Sequence, residues 1–265
     1  MSTPAATPTN NFDVLGPALI NVTVMLVLFG FTLIQTYMYY VRYPKDVPRM
    51  KLLVTVLLIL DTLHVALVCH AQYIKLEVSW DAEKLLDGEW TLYANYAVNL
   101  VVCVLVQIHF TRTIYHLCQN RWRLWLTGLL TVLTIAHLGL GMATTVLIFK
   151  AWELSKVQAA TDITLIPLAA ARIASDLVIA ISLCVLLHTH RTGVKRTNSV
   201  INTLIVYAIN RFLLTTAISF IQLVVLSIDL LRLWSFGWSL DFVIGKLYLN
   251  SFLASVNSRT HLQDG

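Results

Sequence analysis

Seven apolar runs, at about residues 17–41, 52–74, 91–111, 124–149, 163–187, 201–228 and 237–256, are separated by short connections that alternate between basic and non-basic. Each run approaches the ~20 residues with which an α-helix crosses ~30 Å of hydrocarbon. A soluble fold would have to bury seven such helices on every face and would keep no surface for water. Only 12% of the 265 residues are charged and 57% are hydrophobic, whereas soluble domains carry about 25% charged residues. The pattern predicts an all-α protein, a seven-transmembrane helix bundle forming one domain over residues 17–258.

Orientation follows from the basic residues. The 1–2, 3–4 and 5–6 connections and the C-terminal tail hold eleven Lys and Arg, among them Arg42, Lys45, Arg49, Lys51, Arg112, Arg121, Arg123 and Arg259. The opposite side holds five: Lys75, Lys84, Lys150, Lys156 and Arg232. The positive-inside rule then places the N-terminus outside and the C-terminus in the cytoplasm. All seven Trp residues lie in connections or near the ends of runs, as interfacial belts require. The net charge of +5 reads as topology and not as nucleic-acid binding. Residues 1–16 read as a disordered extracellular tail without a cleaved signal peptide, and 259–265 as a cytoplasmic tail. Pro167 is expected to open the fifth helix, where its missing N–H costs little. Cys69, Cys103, Cys118 and Cys184 are not arranged as a disulfide framework.

Six full charges fall inside the runs: Asp61, Arg172, Asp176, Arg211, Asp241 and Lys246. An ion at the bilayer centre costs ~2.5–3.5 kcal/mol even on insertion scales, so all six are expected to face inward and find partners or water. Arg172 and Asp176 share a helix face at i, i+4 and could pair. Asp241 and Lys246, five apart, must each look to another helix. Lys246, Asn250, Ala254 and Asn257 form a stripe suited to a bundle or cavity surface. Asp61, His64, Arg172, Asp176, Arg211, Asp241, Lys246 and Asn250 together make a candidate ligand-binding or charge network. Asp61 and His64, at i, i+3, together with His137 at similar depth, are a weak candidate zinc site. No catalytic residue set emerges.

Lys246 invites comparison with microbial rhodopsins, which place a carboxylate four residues before the retinal lysine and another in helix 3. Here Asp241 stands five before and the third run has no acid, so retinal is not expected, and neither is any other cofactor. The Asp-Arg-Tyr-like triplet of class A receptors is also missing after the third run, which reads IHFTRTIYH.

Three stretches, LLILDTLHVALVCHAQY (57–73), KRTNSVINTLIVYAINRFLLT (195–215) and DFVIGKLYLNSFLASVNSR (241–259), resemble a large family of uncharacterised seven-helix membrane proteins of mushroom-forming (basidiomycete) fungi. The C-terminal portion of that family, about 165–258 here, is a domain of unknown function. The resemblance spans nearly the whole chain and implies a fungal membrane protein. It implies no reaction.

The reading that follows is a receptor-like sensor, multi-pass and by default in the plasma membrane. An unknown small ligand would bind near Asp241, and the basic 5–6 loop (Arg191, Lys195, Arg196) would meet a cytoplasmic partner. The alternatives are a small-solute or proton transporter and, third, an intramembrane zinc hydrolase. The lipid bilayer is the one partner that composition demands, and the basic loops should attract its anionic headgroups.

Overall fold

The computed structural model describes residues 11–79, 81, 84–85, 87–118, 121–189, 195–226 and 237–258. Among these, seven helices account for nearly everything: α1 (Asn11–Arg42), α2 (Pro48–Glu77), α3 (Trp90–Leu117), α4 (Arg123–Ala151), α5 (Leu154–Thr189), α6 (Lys195–Leu226) and α7 (Asp241–Asn257). Five, α1 to α5, are long and apolar enough to cross a membrane. Their outward faces carry large apolar side chains such as Ile20, Val27, Ile59, Val132 and Ile135 in the open. Apolar surface on that scale is unusual for a soluble monomer and is consistent with a membrane protein.

Local chemistry explains the elements. Pro48 sits in the first turn of α2, where no N–H is needed. Glu89 caps α3 by accepting from the Thr91 amide at 3.3 Å and its hydroxyl at 2.9 Å. Threonines inside the helices satisfy their hydroxyls on the preceding turn, as Thr131 does on the Thr127 carbonyl at 2.8 Å and Thr145 on Gly141 at 2.9 Å. The helices overrun the apolar runs at most ends. As a result Pro167, expected at a helix start, lies well inside α5, as Pro17 does inside α1. The first turns of α5 are built from the polar stretch LSKVQAATD, which hydropathy alone assigns to a loop.

Neighbours pack in chain order from α1 to α7, and α7 returns to α1, closing a ring; α3 also reaches across to α5 and α7. An odd ring of this kind needs its first and last helices parallel, and a ladder of amides holds them so. Asn21 donates to Ser239 Oγ at 2.6 Å, Asn250 to the Leu28 carbonyl at 3.0 Å, and Asn257 to the Gln35 carbonyl at 2.9 Å. Asn21, Leu28 and Gln35 recur every seven residues, the spacing of a continuous helix seam.

Two apolar clusters fill the ring. One, at the end that holds the start of α1, includes Met25, Val68, Tyr93, Leu168, Trp238 and Phe242. The other, towards the C-terminus of α7, includes Leu57, Val106, Ile179, Tyr248 and Phe252. Along α2, α3 and α5 the polar residues Asp61, Asn99 and Arg172 fall in sequence between the two sets, and Lys246 and Asp241 of α7 bond to them there, so a charged layer separates the clusters. None of the four cysteines is in a disulfide.

Candidate functional site

Among the described residues two ion pairs occupy that layer, and both use α7. Lys246 meets Asp61 Oδ1 on α2 and also donates to the Asp61 main-chain carbonyl at 3.2 Å. Its ammonium lies 5.3 Å from the centroid of the Phe29 ring on α1, which adds a cation–π contact. The stripe below Lys246 faces α1: Asn250 holds the Lys246 carbonyl at 2.9 Å as well as Leu28. His64 follows Asp61 on the same face of α2. It is buried, with its ring 6.4 Å from that of Phe242, and neither ring nitrogen has a hydrogen-bond partner among the described residues.

The second pair joins α5 to α7. Arg172 Nη1 lies 3.5 Å from Asp241 Oδ1, and its Nη2 donates to Gln222 of α6 at 2.8 Å. From α3, Asn99 donates to both the carbonyl and Oδ2 of Asp241, each at 2.8 Å. Three helices are thereby tied at one carboxylate, and α6 joins them through Arg172. Gly245 makes this approach possible: a Cβ at that position would run into the Asn99 side chain. Beside the pair is a cavity of about 30 Å³, bordered by Tyr96, Leu168, Ser219, Gln222 and Trp238. That volume suits a water or two, not an organic molecule.

Arg172 therefore turns to another helix and not to Asp176, one turn away on its own. Asp176 accepts from the Tyr248 hydroxyl of α7 and from Thr215 of α6 at 3.1 Å. Arg211 lies on α6, but its side chain is outside the described residues, as are Arg191 and the side chains of Lys195 and Arg196. His137 does not join Asp61 and His64. Its Nδ1 shares a hydrogen bond of 3.0 Å with Gln107 Oε1 on α3, and among the described residues no three His, Cys, Asp or Glu side chains converge as a metal site requires. The i, i+3 spacing put two candidates on one helix; the third faces α3.

Neutral residues that carry no charge signal in the sequence complete the network: Asn99, Gln222, Thr215, Tyr248 and Gly245. The available signal was an amide such as Asn99 in the middle of an apolar run, which is expensive in lipid unless it is bonded.

Residues 172–261 match a family of unknown function (DUF6534). The matched segment opens at Arg172 and includes Asp176, Arg211, Asp241 and Lys246, leaving Asp61 outside it. No curated protein and no solved structure matches the chain.

Proposed function

We propose that the chain is a receptor-like sensor of the fungal seven-helix family its motifs resemble, with all seven helices spanning the plasma membrane, N-terminus outside and C-terminus in the cytoplasm. The observation that carries the reading is the meeting of α3, α5 and α7 at Asp241, through Asn99 and Arg172, with α6 joined to Arg172 by Gln222. The adjoining cavity of about 30 Å³ is too small for an organic ligand as it stands. Binding there has to part α5 and α6 from α7, and that displacement is the signal. A ligand that competes for Arg172 or Asp241 favours the parted arrangement, as a population shift requires. The connection between α5 and α6 then reports the shift to a cytoplasmic partner.

The test uses full-length protein in proteoliposomes, in a Cys69→Ser background, with a fluorescent probe on a cysteine introduced between residues 190 and 194. Asp241→Asn is expected to change probe accessibility with no ligand added, while the Asp61–Lys246 pair keeps the fold. A folded Asp241→Asn protein with unchanged accessibility would sink the sensor reading. Proton or solute flux through the wild type that is lost in Asp61→Asn would establish a carrier instead.

A further inference from the structure

Two grooves flank α3 at the end where α1 meets α2 and α3 meets α4. The larger, about 730 Å³ between α2 and α3, is walled by residues such as Leu52, Val56 and Leu105, with Arg49, Arg112 and His116 among its lining residues. The other, about 430 Å³ between α3 and α4, is lined by Val104, Tyr115, Thr131 and Ile135 among others. Ile108 and Arg112 line both. They are spaced i, i+4 on one face of α3 and form the ridge between the grooves. Three of the four threonines of the second groove are apolar in effect, because Thr127, Thr131 and Thr134 each turn the hydroxyl onto their own helix at 2.7–2.8 Å; the fourth, Thr111, has a buried hydroxyl with no partner among the described residues.

The rim is cationic. Arg49 and Arg112 are exposed, and Arg123 is held 3.4 Å from the centroid of the Tyr115 ring. The described acids lie in the charged layer or at the opposite end, with the exception of Asp46, which accepts from the Tyr39 hydroxyl and the Val47 amide, each at 2.8 Å. We propose that the chain binds an anionic diacyl phospholipid astride α3, its phosphate on Arg112 and Arg49 and one acyl chain in each groove, on either side of Ile108. Two apolar channels that share one cation match a ligand with two tails and one anionic head. Basic sites between spanning helices recognise such headgroups.

The full chain in neutral detergent, offered dioleoyl phosphatidylserine, dioleoyl phosphatidylcholine or single-chain lysophosphatidylserine, gives the test by native mass spectrometry. Phosphatidylserine should be retained over phosphatidylcholine, and the single-chain lipid should be held more weakly than the diacyl form. Arg112→Gln and Arg49→Gln should each weaken phosphatidylserine about fivefold without changing the melting temperature. Val56→Trp and Thr131→Trp, each filling one groove, should reduce diacyl retention to the single-chain level. Equal retention of the two diacyl lipids, or no effect of Arg112→Gln, would mean ordinary annular lipid and overturn the proposal. Equal retention of one- and two-chain forms would do the same. Competition by soluble glycerophosphoserine would point to a free-anion site and also overturn it.

Discussion

The two ion pairs on α7 lie close together on that helix yet differ in kind. Asp61 and Lys246 have side chains 3% and 0% exposed, whereas Asp241 and Arg172 are 10% and 9% exposed and border a cavity. Lys246 depends on one carboxylate and a carbonyl; Asp241 is shared by an arginine and an asparagine, and the arginine has Gln222 as a second partner. In a low-dielectric interior a pair with no substitute partner is a lock, because removing one member strands the other. A pair with neutral hydrogen-bonding partners beside it can part at lower cost, which suits a latch. The same helix thus carries a fixed end towards α2 and a releasable one towards α5.

Four substitutions probe that contrast, each read by reversible unfolding in detergent. Lys246→Met should have the largest effect, about 3–5 kcal/mol, because it leaves the Asp61 carboxylate buried with no cation, only the Thr32 hydroxyl beside it. Adding Asp61→Leu should recover most of the loss. Asp241→Asn should cost less, about 1.5–3 kcal/mol, since it removes a charged acceptor but keeps the amide shape beside Asn99. A cost equal to that of Lys246→Met would abolish the distinction between lock and latch. Gly245→Ala should cost about 1–3 kcal/mol by overpacking, and Asn99→Ala in the same chain should relieve part of it. Asn250→Leu should cost least, about 0.6 kcal/mol, the usual worth of an interhelical hydrogen bond in a membrane. A much larger loss there would move the lock from the ion pair to the α1 seam.

Hydropathy made the helices legible, because a run near twenty apolar residues has few alternatives. It misjudged their ends. Turns of α5 ahead of Pro167 are polar, and hydrophobicity says nothing about a helix once it leaves the apolar zone. Helical spacing placed Asp61 beside His64 and separated Asp241 from Lys246, since both follow from 3.6 residues per turn. The choice of partner was not legible. Arg172 had an acid one turn away and took one 69 residues along the chain instead, because ring closure, which brings α7 against α3 and α6, is a property of tertiary packing. The same holds for His137, whose depth matched that of His64 but whose helix packs on α3 and α5.

Asp61 is separated from Lys246 by 185 positions. At ribosomal speeds of about 5–20 residues per second, its carboxylate waits on the order of ten to forty seconds for the ammonium that neutralises it. During that interval α2 is a poor tenant of the lipid and needs shelter from the insertion machinery or from water. A nascent chain halted before Lys246 would therefore expose an acid that the finished protein hides, a mark by which cellular quality control can tell the two apart.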